Sequence, residues 1–162
     1  MTRLEPVARR WIAGAAVAAG LFCAVVVVIP VAESVGIWGA SLGRVALEPA
    51  CHQITERCLD LGSGPLPVCA RCAGLYAGGF LGLLIPVLLG RPLRPGWRWV
   101  LLAAAPSVID FGLGLVGLPD LPNWPRFGVA VVPGLLLGLL LAEAIHSTVV
   151  LNTRRTPGDG IT

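Results

Sequence analysis

Four long apolar blocks, separated by short polar stretches, organise the chain. They cover residues 11–29, about 68–89, 97–118 and 127–145. Pro30 closes the first, Pro65 and Pro67 lead into the second, and Asp110 interrupts the third. A hydrocarbon core of about 30 Å takes roughly 20 helical residues to cross. Each block therefore predicts a transmembrane helix, and the short connections predict antiparallel neighbours. The expected fold is an all-α integral membrane protein, four spans in one antiparallel bundle. The first block is longer than the roughly 7–15 residues of a signal-peptide core. Pro30-Val31-Ala32 is also a poor cleavage site, so this block is expected to stay as a helix.

Between the first two blocks, Ser34, Ser41, Arg44 and Glu48 recur at helical spacing, opposite Val35, Trp38, Leu42 and Val45. The pattern predicts an amphipathic helix over 34–48 on the membrane surface, or else an extension of the first span. In the third block Ala103, Pro106, Ser107, Asp110, Gly114 and Gly117 share a small or polar face, which directs Asp110 into the bundle. Gly74, Gly78 and Gly82, with Gly134 and Gly138, mark seams for close helix packing, within one chain or between the chains of an oligomer. One domain over residues 1–150 and a disordered cytoplasmic tail over 151–162 complete the expected organisation.

Composition narrows the class. Hydrophobic residues make up 56% of the 162 and charged residues 13%, against roughly 25% charged in soluble domains. A disordered chain, a coiled coil and a nucleic-acid binder are excluded, and the lipid bilayer becomes the expected partner. The net charge of +3 is carried by arginine alone among the basic residues. Arg3, Arg9, Arg10, Arg91, Arg94, Arg98, Arg154 and Arg155 flank the blocks on one side, and Arg44, Arg57, Arg71 and Arg126 on the other. The arginine-rich side is cytoplasmic by the positive-inside rule. Both termini are thus expected inside the plasma membrane, with the 31–67 segment and the 119–125 loop outside.

An ionised acid at the centre of a span costs about 2.5–3.5 kcal/mol to insert. Asp110 therefore calls for a partner, a proton or a cavity. It is expected to serve an ion or proton site, the alternative being a packing role, protonated or bonded to Ser107. Glu143 is expected near Arg91, Arg94 or the N-terminal arginines at the inner interface, and His146 in a solvated turn.

The cysteines carry the strongest chemical signal. Cys23 lies inside the first block, whereas Cys51, Cys58, Cys69 and Cys72 crowd into the outer segment and the start of the second span. Cys69-Ala70-Arg71-Cys72 is a CxxC motif at a helix start, with its sulfurs on one face at the positive end of the helix dipole. Arg71 adds a fixed charge that favours thiolate, the form that binds metal or attacks a disulfide. Cys51-His52 lies on a loop able to return to the same surface, and Cys/His sets of this kind bind zinc tetrahedrally. Adjacent Cys51 and His52 reach one ion only through a tight backbone, and Cys58 could replace either.

Cys51-His52-Gln53, Glu56-Arg57 and Leu66-Pro67-Val68-Cys69-Ala70-Arg71-Cys72-Ala73-Gly74-Leu75-Tyr76 resemble the prokaryotic membrane-protein family known as domain of unknown function two-thousand-and-eighty-five. An acid in the next helix is matched by Asp110, and a later arginine before a Gly-spaced helix by Arg126 and Gly134. The resemblance spans about residues 51–138. It implies a shared set of Cys51, His52, Cys69, Cys72 and the acid. It departs at Cys58, where the family commonly has serine, and at Phe111, where it usually has glycine.

The first functional expectation is a transition-metal site of Cys51, His52, Cys69 and Cys72 at the outer surface, with zinc foremost and copper(I) or iron next. Cys58, Arg57, Arg71 and Asp110 would support it, with Asp110 receiving an ion or proton passing inward. An enzymatic alternative is a membrane thiol-disulfide oxidoreductase acting on a thiol partner, with Cys69/Cys72 as the active pair and Cys51/Cys58 as the shuttle. A third is a loop stapled by disulfides. Phosphate-binding Gly-rich loops, HExxH and GxSxG are absent from the sequence.

Overall fold

The computed structural model describes residues 3–115 and 121–155. Five α-helices and one hairpin follow in chain order. They are α1 (Pro6–Ser34), α2 (Ala40–Leu47), β1 (Cys58–Asp60), β2 (Pro65–Cys69), α3 (Ala70–Leu89), α4 (Trp97–Leu115) and α5 (Asn123–Arg155). Among the described residues three stretches, Pro6–Ser34, Ala70–Leu89 and Asn123–Thr153, are long and apolar enough to cross a membrane. The fold is mostly helical and built for lipid. The small antiparallel sheet corrects the all-α expectation.

Glycine sets the core of the bundle. α3 and α5 pack so closely that a Cβ at Gly78 would stand 2.7 Å from the backbone nitrogen of Leu135, and one at Gly82 would stand 2.8 Å from Gly138 Cα. Lipid offers no hydrophobic push between helices, so this backbone approach supplies the contact area instead. α1 lies against the pair, with Ile12 and Ala16 packed on Leu83 and Ala142. α4 rests on α5, with Leu101, Leu102, Val108 and Ile109 exposed. The expected inward face of α4 holds at Asp110 and in part at Ala103 and Ser107, but Pro106 is exposed; Gly117 lies outside the described residues.

Several boundaries differ from the sequence reading. α1 runs through Pro30 to Ser34, because a missing N–H is tolerated where neighbouring elements cover the freed carbonyl. α5, at 33 residues, measures about 50 Å and overhangs a core of about 30 Å. Its first turn absorbs Pro125, where no intrahelical N–H is needed. At its other end residues 151–155 are helical, not part of a tail; residues 156–162 and the 116–120 part of the outer loop lie outside the described residues. The 34–48 segment is neither one surface helix nor an extension of α1. Gly36 (φ 73°) and Gly39 (φ 88°) turn the chain, and α2 then folds back so that Gly43 lies against Ile29.

The hairpin sits at the same end of the bundle as α2. Leu59, Leu66 and Val68 are buried with Val26, Ile29 and Leu47. Asp60 closes the turn, its carboxylate accepting from the N–H groups of Gly62 (2.7 Å) and Gly64 (3.3 Å).

Candidate metal centre

Three elements bring the cysteines together. The turn that follows α2 carries Cys51, whose N–H donates to Leu47 O at 3.1 Å. Gln53, held at φ 50°, donates through its side-chain amide to Arg44 O at 2.6 Å and pins the loop that follows. Arg44 in turn donates to both Glu33 carboxylate oxygens (2.8–2.9 Å) and to Pro65 O (2.7 Å). This one guanidinium joins α1, α2 and β2. On the other side β2 delivers Cys69 to the N-cap of α3, and Cys72 follows within the first turn.

The sulfurs of Cys51, Cys69 and Cys72 all lie within 4.8 Å of one another. Cys51 Sγ also accepts the Cys69 N–H at 3.1 Å. Three thiolates bound tetrahedrally at about 2.3 Å would stand roughly 3.8 Å apart, so sulfurs no more than 4.8 Å apart need to close in by about 1 Å at most to share an ion. The Cys69 thiol is held down to about 5. The hydrogen bond from the Cys72 thiol is the largest cause; the N–H groups of Cys72 and Arg71 and the Cys51 thiol act with it, against the upward pull of burial.

The remaining sequence candidates go elsewhere. His52 is exposed and does not join the three sulfurs. Cys58 is the register partner of Cys69 across the hairpin, yet its thiol donates to Ile54 O at 3.2 Å. Burial, aided by Cys51 and Cys69, pushes that thiol up to about 11. Arg57 ends a short 3-10 turn, Thr55–Arg57. All five cysteines are free thiols, so no disulfide staples the loop in this structure.

Asp110 is neither bonded to Ser107 nor open to a passing ion. Its Oδ2 accepts from Arg71 Nε (2.7 Å), from Arg71 Nη2 and from Arg126 Nε (3.1 Å), and its Oδ1 from the Leu121 N–H (3.2 Å). Asp110 and Arg126 are each only 3% exposed. Arg71 thus reaches past the cysteines to α4. The role of Arg126 as a counter-charge was missed in the sequence, although a membrane acid demands a partner and Arg126 opens the neighbouring helix on the same side. Asn123 was missed as well. Its amide donates to the carbonyls of Glu56 (3.0 Å) and Cys58 (2.9 Å), tying α5 to the cysteine hairpin.

At the opposite end of the bundle, Glu143 pairs with Arg94 at 2.7 Å, as expected. His146 is not a solvated turn residue: it lies within α5 and is only 7% exposed.

A profile of the family described as "Predicted membrane protein (DUF2085)" matches residues 51–142, more than half the chain. The chain is also 33% identical over 99 residues to an uncharacterised protein of Methanothermobacter thermautotrophicus, covering 59% of this chain and 87% of that one. An uncharacterised protein of Methanocaldococcus jannaschii is 29% identical over 87 residues, covering 52% of this chain and 56% of its own length. No solved structure matches.

Proposed function

The chain belongs to this family of membrane proteins, and on that premise we propose that it binds a transition-metal ion, zinc first, through Cys51, Cys69 and Cys72. The observation that carries this reading is convergence: Cys51 comes from 18 residues upstream of Cys69 to meet both sulfurs of the CxxC. Sulfur donors suit zinc, copper(I) or iron, and three protein ligands leave a fourth position for an exchangeable group. His52, next to Cys51, could fill it by turning inward. An open position fits metal transfer or catalysis, whereas a closed set of four would fit a purely structural ion.

In the same reading α4 is the fourth crossing, its exposed apolar side against lipid and its ionised Asp110 neutralised by arginine. The cysteine end faces outward across the plasma membrane, with both termini in the cytoplasm. Of the four outer arginines, Arg44, Arg71 and Arg126 are paired with acids inside the fold. The eight inner arginines outnumber these four, which sets the orientation.

The redox reading has one observation in its favour, the low-lying Cys69 thiol bonded to Cys72. Its proposed shuttle pair lacks support: Cys51 contacts Cys69, and the Cys58 thiol is engaged with Ile54 O. Elemental analysis of protein purified in detergent, with thiols counted anaerobically, separates the two. The metal reading expects about one equivalent of metal per chain, lost in Cys51→Ser and Cys69→Ser and retained in Cys58→Ser. No metal, together with paired cysteines, would sink it.

A further inference from the structure

An apolar cavity of about 180 Å³ adjoins the cysteine cluster. The hairpin covers it through Leu61 and Leu66, α1 walls it at Val27, α3 at Tyr76 and Ala77, and α5 at Trp124. Val27, Leu61 and Trp124 are themselves exposed, so the cavity communicates with the surface where the spans meet the hairpin. Cys23 also lines it, which gives that isolated thiol a place in the site.

Two features narrow the occupant. The lining is hydrocarbon and aromatic apart from the Tyr76 hydroxyl, the Trp124 indole N–H and the Cys23 thiol, so a strongly polar ligand would find few partners. Three of the helices that wall it are long and apolar enough to cross a bilayer, which favours a hydrocarbon occupant drawn from lipid. In size it matches a cavity of about 150 Å³ known to take a benzene ring, enough for a ring or a few methylenes. The cavity also shares its wall with the metal ligands: Ala73, Tyr76 and Phe127 pack into the same cluster as Cys51, Cys69 and Cys72.

We propose that this cavity holds the hydrocarbon end of an amphipathic ligand whose polar end reaches the open position of the metal. The inference rests on the metal reading and names its ligand class, a lipid-like molecule with a metal-binding headgroup. Tyr76, between the cavity and the sulfurs, is placed to hydrogen-bond that headgroup.

Alkyl hydroxamates test it, since the headgroup binds zinc and the chain can be varied. Zinc-loaded protein in nanodiscs is titrated with acetohydroxamate and octanohydroxamate. The same is done for Ala77→Phe, which fills the cavity, and Val27→Trp, which blocks it from the opposite wall. Both variants must keep the zinc content of the wild type. The proposal expects the wild type to prefer the long chain about tenfold over either variant, while acetohydroxamate binds all three equally. Equal binding of octanohydroxamate to wild type and both variants, with zinc present, overturns the cavity assignment and leaves the metal reading standing. Absence of zinc from the wild type overturns both.

Discussion

Arg71, which directly precedes the second cysteine of the CxxC, donates to the buried carboxylate of Asp110 on α4. The motif that supplies two sulfurs of the candidate metal centre thus also supplies the counter-charge for the acid on α4. Arg126 completes the group from α5. One carboxylate facing two guanidiniums leaves one net positive charge. A divalent ion with three thiolates carries one net negative charge, so the two groups complement each other across the first turn of α3.

The first prediction follows from that pairing. Asp110→Asn removes the carboxylate that two guanidiniums share in a poorly solvated site, and removing one partner of a buried pair costs about 3–5 kcal/mol. Its detergent melting temperature should fall well below that of the wild type. Arg71→Met with Asp110→Asn should cost less than the sum of the single changes, by more than about 0.5 kcal/mol in a double-mutant cycle. Strict additivity would mean that the contact contributes nothing.

Arg71→Met alone should also weaken zinc binding, by roughly 10–100-fold, although no Arg71 atom is a ligand. Competition against a chromogenic chelator measures this. Arg94→Met, at the opposite end and paired with Glu143, is the control and should leave zinc affinity unchanged.

The thiols should titrate in a fixed order. In metal-free protein Cys69, held down to about 5, is mostly thiolate at neutral pH and should be alkylated first. Cys58, pushed up to about 11, is protonated there and should react only as the pH rises well above neutral. Cys72→Ala removes the hydrogen bond that chiefly stabilises the Cys69 thiolate, so the Cys69 profile should move up toward its ordinary value of 9.0. Mass spectrometry of maleimide adducts against pH reads all three outcomes. Simultaneous labelling of Cys69 and Cys58 would contradict the order.

Much of this was legible in the sequence because lipid imposes a simple code. Apolar length marked the helices, and the glycine repeats at 74, 78 and 82 and at 134 and 138 marked the seam that the backbone contacts now occupy. The CxxC and the distant Cys51 announced a cluster, because few other roles gather cysteines so tightly. Other features depended on three-dimensional placement. Cys51 and His52 are neighbours in sequence, yet the turn after α2 buries one and exposes the other. The hairpin was missed because Pro65 and Pro67 read only as the entry to a helix starting near Val68; the extended form of 65–69 is fixed by pairing with β1 and by burial under α1. Arg126 looked like an outer-loop charge because the partner that draws it inward lies on a different helix.

The helix seam itself can be tested. Gly78→Leu would force a side chain into the backbone of α5 around Leu135, where neither helix can yield without separating. It should abolish the folded, monodisperse protein in size-exclusion chromatography. At Gly14 an added Cβ meets nothing within 4 Å, so Gly14→Leu should elute as the wild type does. If Gly78→Leu behaved in the same way, α3 and α5 would not form the core.

Orientation gives the last prediction. Trp38 is 100% exposed beside α2, at the cysteine end, and Thr153 is exposed near the far end of α5. In a background with all native cysteines replaced by serine, Trp38→Cys and Thr153→Cys each present one thiol to a membrane-impermeant maleimide. Intact cells should label Trp38→Cys, and Thr153→Cys only after permeabilisation. The physical ground is the arginine balance: eight arginines flank the spans on the side holding the termini and four on the side of the cysteine cluster. The reverse labelling would put the cysteine cluster in the cytoplasm, where a ligand would reach it from the reducing side of the membrane.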